Sequence, residues 1–265
     1  TAAEVGCNTF LLEKGNELGG LASLISKIPA KNRLADFPHY LMHRAEQLDN
    51  LYIFKNTEGT PENIRKFHPN IIVSSTGSAP LLPPIAGLKD RIDNENHNIY
   101  SILGMISHIN DFPKDLEGKK VVVVGGGAVG LDVVEFFADR NADISIVEMM
   151  DQIGRDLDPV SKNDTKTMMK KHNVHQLTKT ALLEVKDSSF LVKGDGEPYE
   201  LPFEYGFVCL GMRAQGQLYQ SLAEEFSSED VEIMNIGDSQ RARRIIDGTQ
   251  EGRNILTILE QRGYL

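Results

Sequence analysis

Three glycines carry the strongest chemical signal in the sequence. Gly125, Gly127 and Gly130 stand at GxGxxG spacing, the pattern of a loop that brings backbone N–H groups up to a pyrophosphate. One glycine serves the tight turn, one the close backbone approach, and one the packing of helix on strand. Ala128 and Val129 belong to the same loop and Asp132 follows it. Glu148 lies 18 residues beyond Gly130, placed to accept the hydroxyls of an adenosine ribose. Its charge repels a ribose 2′-phosphate, and Met149 and Met150 beside it offer no cation, so NADH is expected over NADPH. Arg155 is the one nearby cation that argues otherwise. A glycine-rich turn that binds nothing is the plain alternative, and the order strand, loop, helix, strand, acid is what speaks against it.

The other candidates are weaker. His39 and His43 are spaced i, i+4, and His172 and His175 lie close together, yet neither pair has a third ligand and no metal site is expected. Arg241, Arg243 and Arg244 cluster near Asp238 and could meet a phosphate, although a solvated helix face is the plainer reading. Cys7 and Cys209 form neither a CxxC nor a CxxxxC pair, which excludes a zinc or Fe–S framework and a dithiol redox centre within these residues. That cysteine usage fits a reducing cytoplasm. No side chain stands out as a catalytic acid or base.

The elements that must position the glycines are legible around them. Val121 to Val124 reads as a buried parallel strand. Val129, Val133, Phe136 and Phe137 recur at helical spacing, with Asn141 as a left-handed stop. Ile144 to Glu148 is a second strand that closes on an acid. Elsewhere, Leu34 to Leu48 has helical spacing with Asp36 as a candidate cap, Thr60-Pro61 starts another helix, and Asp158-Pro159 caps a polar helix running to about His172. Val231 to Ile236 reads as a last strand, and a terminal helix is expected from about Arg244 to Gln261.

The same logic occurs twice. Thr9 to Glu13 is another apolar strand that closes on a glutamate, and Ile71 to Gly77 another that closes on glycine. Glu13 and Gly77 are 64 residues apart, and Glu148 and Gly211 are 63 apart. Tandem dinucleotide folds are the simplest explanation, although landmarks this short could coincide by chance. In the later copy the glycine loop precedes its glutamate by 18 to 23 residues. The same offset from Glu13 falls before Thr1, so the first copy is expected to lack its first strand and phosphate loop, with Thr1 to Gly6 as the tail of its first helix. Its sheet should then have a gap or an exposed strand edge. The chain is accordingly expected to begin inside a longer protein and, as given, to carry no stoichiometric FAD.

Composition narrows the partners. A length of 265 residues suggests about two domains. Twenty-eight basic against 38 acidic residues leave a net charge of −10, which disfavours nucleic acid and anionic membrane surfaces. The most apolar run, Val121 to Val134, contains four glycines and Asp132 and does not suit a membrane span. A homo-oligomer is left open.

Taken together, Leu11 to Lys14 with Glu17 to Gly20, Ser75 to Gly77, the Gly125–Gly130 loop, Glu148, Arg155 to Pro159, Leu210 to Arg213, and Ile236 to Asp238 with Glu251-Gly252 resemble one family. They are similar to the C-terminal nucleotide-binding region of the 2,4-dienoyl-CoA reductase and 2-enoate reductase branch of the Old Yellow Enzyme (NADH:flavin oxidoreductase) family. The resemblance covers essentially the whole chain. It implies an α/β fold of two Rossmann-like dinucleotide-binding domains, glutathione-reductase-like, the first incomplete. The FAD-type domain would comprise residues 1–112 and 226–265, with an NAD(H) domain of residues 113–225 inserted. It implies NAD(H) at Gly125, Gly127, Ala128, Val129, Gly130, Asp132, Glu148 and Gly211. FAD in the intact protein would lie at Glu13, Lys14, Gly19, Gly20, Thr76, Gly77, Gly237 and Asp238. The expected partner is an N-terminal barrel of the parent chain that carries FMN and a 4Fe–4S cluster. NADH would pass a hydride to FAD and electrons would move on to reduce an enoate, the 265 residues alone being inactive on enoates. The alternative is a non-catalytic ADP- or NAD-binding module.

Overall fold

Four consecutive valines are β-branched and apolar on both faces, which suits a central strand covered on each side and suits a helix poorly. In the computed structural model, which describes all 265 residues, they lie in such a strand. The chain divides into two compact units, one of residues 1–26, 31–79 and 212–265, the other of residues 27–30 and 80–211.

The first unit opens with a short 3-10 turn, Ala3–Val5, closed by Gly6 at φ +98°. Its strands are β1 (Thr9–Leu12), β2 (Leu51–Phe54), β3 (Ile71–Ser74) and the short β4 (Ser78–Pro80). The second unit carries β5 (Ile99–Tyr100), β6 (Lys120–Val124), β7 (Asp143–Val147), β8 (His175–Leu177), β9 (Ala181–Val185), β10 (Ser189–Lys193), β11 (Tyr199–Pro202) and β12 (Tyr205–Val208). β13 (Met212–Ala214) and β14 (Glu232–Asn235) return to the first unit.

The second unit is built on a five-stranded parallel sheet ordered β5-β12-β6-β7-β8, beside an antiparallel sheet ordered β11-β10-β9. The helix Ala128–Ala138 crosses from β6 to β7. Val122, Val124, Val147 and Val208 pack with Ile99, Leu88 and Phe190 in one core cluster. Phe112, Phe136, Phe137, Tyr205 and Phe207 form a web of ring contacts in the same unit, with centroids 4.8 to 6.3 Å apart. The helix stops where expected, with Asn141 at φ +62°.

The first unit has no such sheet. β1 pairs only with β2 and β3 only with β14, both parallel, in two separate two-stranded sheets. β1 matches β7, since both close on a glutamate, and β3 matches β12, since both run on to a glycine. Yet in the second unit β6 stands between β7 and β12, whereas β1 and β3 keep an open edge. Burial follows the pairing. Phe10 and Val73 are 41% and 42% exposed, against 1% for Ile144 and 0% for Phe207 on the matching strands.

Several boundaries differ from the sequence expectation. The units part after Ala79 and after Gly211, where residues 112 and 225 were expected. Residues 80–112 join the second unit because β5 pairs with β12. Residues 212–225 join the first because the helix Gln217–Glu225 buries Leu222 in one cluster with Ile72 and Phe226. The helix expected to reach Leu48 is Asp36–Ala45, with Asp36 inside it and bonded to Arg33 at 2.7 Å. The terminal helix is two, Ile245–Arg253 and Ile255–Gln261, parted at Asn254.

Open edges leave backbone amides without partners on one side and weaken protection against local opening. Hydrogen exchange on the intact chain is expected to be faster, by about tenfold or more, along β1 and β3 than along β6 and β7. Equal protection of the four strands would contradict the split sheet.

Candidate functional site

The loop after β6 is laid out by its glycines. Gly125 takes φ +108°, and a Cβ there would overlap the Cys209 carbonyl oxygen. Its N–H donates to the Val147 carbonyl at 2.8 Å, and Cys209 N–H donates to the Val124 carbonyl at 2.7 Å, so the turn is held by both neighbouring strands. A Cβ at Gly130 would overlap the Gly125 carbonyl oxygen, so the helix can seat on the loop only without a side chain there. At Gly127 a Cβ would meet nothing within 4 Å. Gly125, Gly126 and Gly130 are buried while Gly127 and Ala128 are exposed. The first and third glycines therefore serve packing and the second leaves open backbone, which is the division of labour a pyrophosphate cradle requires.

Gly127 is the cap of the helix Ala128–Ala138, and its carbonyl accepts from Leu131 N–H at 3.0 Å. Ala128 and Val129 lie in the first turn, where amides lack intrahelical acceptors and the helix dipole favours an anion. A dinucleotide pyrophosphate fits this loop by that geometry.

Glu148, just past β7, is half-buried. Its Oε2 accepts from Gly126 N–H at 2.7 Å and its Oε1 from Met150 N–H at 2.7 Å. Asp132 is half-buried and Gly211 is exposed at φ +102°. Arg155 is exposed. Burial pushes the Cys209 thiol up to about 12, with the charges of Asp132 and Asp93 adding to the effect. A thiol held neutral in this way is a poor redox nucleophile. All the residues implied for NAD(H) fall in the second unit.

The residues implied for FAD all fall in the first unit. Glu13 Oε1 accepts from Gly15 N–H at 2.6 Å. Lys14 forms an exposed ion pair with Glu58 at 2.9 Å. Gly19, at the cap of the helix Gly20–Ile25, and Gly20, its first residue, have positive φ, +101° and +51°. Thr76 Oγ1 donates to the Gln215 carbonyl at 2.5 Å, and the Gly77 carbonyl accepts from Gln215 N–H at 3.0 Å. Asp238 accepts from Ser78 Oγ and from Arg243 N–H, both at 3.0 Å. Gly237, at φ +64°, donates its N–H to Glu251 Oε2 at 2.6 Å. That backbone N–H, and then the Arg243 guanidinium at 2.6 Å, hold the Glu251 carboxyl below the usual carboxylate range. Asp247 accepts from Arg244 N–H at 3.0 Å at the start of the next helix.

Two residues are given no function of their own in the sequence reading. Gly126 occupies a variable position of the fingerprint, and only the run of three glycines pointed to it. Glu251 holds Gly237 across 14 residues, a distance at which no local pattern speaks. No group of three or more His, Cys, Asp or Glu side chains that could hold a metal comes together. His43 instead lies 3.3 Å from Gln47, and His175 3.4 Å from Asp143. No helix is long and apolar enough to cross a membrane.

A parallel sheet whose glycine loop opens onto a helix N-terminus, with a glutamate closing the next strand, defines a dinucleotide-binding α/β protein. More particularly, the chain belongs to the pyridine nucleotide-disulphide oxidoreductase family, whose model matches residues 42–234. That family has an FAD- and NAD(P)H-binding oxidoreductase fold. The chain is 26% identical over 253 residues to an NADH oxidase of Thermoanaerobacter brockii, covering 95% of this chain and 37% of that protein. It is 26% identical over 289 residues to a metal reductase of Desulforamulus reducens, covering 96% of this chain and 40% of that protein. The chain thus spans well under half the length of these relatives. Its fold resembles that of a 2-naphthoyl-CoA reductase in complex with 2-naphthoyl-CoA. The TM-score is 0.79 at 22% identity, and the match covers 95% of this chain and 36% of that one.

The two glycines should separate stability from binding. Gly130→Ala is expected to destabilise the second unit by about 1–3 kcal/mol through the forced overlap with Gly125. Gly127→Ala should leave the melting temperature within a few degrees while weakening nucleotide binding. Thermal melts paired with titration calorimetry check this, and a reversed pattern would refute the assigned roles.

Proposed function

We propose that these residues are the NADH- and FAD-binding part of a larger flavoprotein reductase. The carrying observation is the open backbone at Gly127–Ala128, set between the buried Gly125 and Gly130 and facing the first turn of a helix. There the loop amides and the helix N-terminus would hold the pyrophosphate, and Glu148 would accept the adenosine ribose hydroxyls. Asp132 and Gly211 would stand toward the nicotinamide end. In the first unit Glu13 and Asp238 would hold the two ends of FAD, with Lys14, Gly19, Gly20, Thr76, Gly77 and Gly237 beside it. When bound, NADH supplies a hydride and FAD accepts it. The protein's part is to bind, orient and tune.

For the finer reading, the partner is an N-terminal barrel of the same parent chain that holds FMN and a 4Fe–4S cluster and reduces an enoate or enoyl thioester. Two observations support it. The chain spans 37% and 40% of the relatives named above, and its fold is similar to that of a reductase bound to an aromatic CoA thioester. The open edges of β1 and β3 support a central strand and phosphate loop supplied by residues outside these 265.

The same open edges favour a second reading for the chain on its own, a nucleotide-binding module that binds ADP or NAD and transfers no electrons. Visible absorption of the purified 265-residue chain separates the two. Without a loop to cradle its pyrophosphate, FAD is expected well below one per chain, and full occupancy would overturn this expectation.

Cofactor choice is the second test. Calorimetry should show NADH binding more tightly than NADPH, and Glu148→Ala should weaken NADH by about 1–3 kcal/mol through lost charge-assisted hydrogen bonds. Equal or tighter NADPH binding by the unmodified chain would sink the assignment.

A further inference from the structure

A carboxylate that only receives a ribose would point its oxygens at the ligand. Glu148 spends one bond of each oxygen on the protein backbone instead, Oε2 on Gly126 N–H and Oε1 on Met150 N–H, both at 2.7 Å. The Met150 bond is a local turn. It recurs in the first unit, where Glu13 Oε1 accepts from Gly15 N–H at 2.6 Å. The Gly126 bond is different, because it reaches back 22 residues into the phosphate loop.

The Gly126 peptide unit is then fixed on both sides. Its carbonyl accepts from Gly154 N–H at 2.7 Å. A Cβ on Gly126 would lie 3.0 Å from Glu148 Oε2 and 3.1 Å from Ile153 Cγ1, so the carboxylate and the Ile153–Gly154 turn close over this residue. Directly beyond it comes the exposed Gly127.

We propose that Glu148 is a positioning residue for the phosphate loop, holding Gly126 so that the Gly127 and Ala128 amides stand ready before any nucleotide arrives. A carboxylate offers about four lone-pair sites, so the two amide bonds leave two sites for ribose hydroxyls. The two duties coexist, and their order is loop first, ribose second. The ligand in this proposal rests on the nucleotide reading above, whereas the loop geometry does not. A side chain at position 126 would have to displace the carboxylate and Ile153 by a few tenths of an ångström.

The experiment has two arms. Residue-resolved amide exchange on the ligand-free chain is expected to show Gly126 exchanging roughly tenfold faster or more in Glu148→Ala than in the unmodified protein. Glu148→Gln keeps one acceptor oxygen and should recover part of the protection. In the second arm, affinities are measured for NADH and for an analogue whose adenosine ribose lacks both hydroxyls. Glu148→Ala should weaken the analogue as well, by about three- to tenfold, since the loss lies in the loop.

Two results overturn the proposal. One is an unchanged Gly126 exchange rate in a variant that melts like the parent. The other is an analogue affinity indifferent to Glu148→Ala, which would leave Glu148 a ribose acceptor alone. If Glu148→Ala fails to fold, Glu148→Gln is read in the same way and decides. If the unmodified chain binds neither compound, the nucleotide reading fails, and the exchange arm still decides the role of Glu148 in the loop.

Discussion

The second unit depends on two backbones meeting without side chains between them. The helix Ala128–Ala138 rests where a Cβ on residue 130 would overlap the Gly125 carbonyl, and Gly125 passes where its own Cβ would overlap the Cys209 carbonyl. These approaches fix the end of β6 against the segment after β12 and seat the helix on the turn. The exposed backbone at Gly127 is a result of that seating. Enlarging either glycine would push apart contacts that the valine strands and the Phe136, Phe137 and Phe207 rings are packed to hold, and tightly packed interiors absorb such shifts poorly.

A second device recurs across both units, a glycine N–H donated to a glutamate side chain. Gly15 donates to Glu13, Gly126 to Glu148 and Gly237 to Glu251, at 2.6, 2.7 and 2.6 Å. A glycine turn is the cheapest backbone to bend and the costliest to order. A charge-assisted bond from a carboxylate, about twice as strong as a neutral one, offsets that disorder. At Glu251 the bond belongs to a small network with Arg243 and, through Arg243 N–H, Asp238. The positions implied for FAD at Gly237 and Asp238 are therefore held by Glu251 on the following helix and by Arg243 just ahead of it.

What could be read from the sequence was what depends on near neighbours. The strand of valines, the three spaced glycines, the Asn141 stop, and the caps at Thr60 and Asp158, which accept from Asn63 N–H at 3.2 Å and Val160 N–H at 2.9 Å, are local patterns with local causes. The repeat arithmetic also anticipated a gap in the first sheet, seen as the separate β1-β2 and β14-β3 pairs, because it compared the chain with itself. What could not be read depends on pairing across long separations. Residues 80–112 join the second unit through the pairing of β5 with β12, more than a hundred residues away, and no periodicity marks that choice. The hold of Glu148 on Gly126 was hidden for another reason. The fingerprint already assigned the glutamate a ligand, and a carboxylate has room for more than one partner.

The pairing of β3 with β14 bears on how the chain assembles. Ile71 meets Glu232 and Ser74 meets Asn235, so the first unit must join segments separated by everything from Pro80 to Gly211. For an unfolded chain that is a long loop to close. Yet Leu81 N–H donates to the Gly211 carbonyl at 2.9 Å, so once the inserted unit is folded its two ends lie one hydrogen bond apart. Folding the insert first shortens the effective loop about fivefold, roughly two to three doublings, relieving closure entropy of about 1–2 kcal/mol. Folding of residues 80–211 thus eases closure of the first unit's β3–β14 pair. Topology favours an order of assembly in which the middle of the chain folds before the later strand pairs.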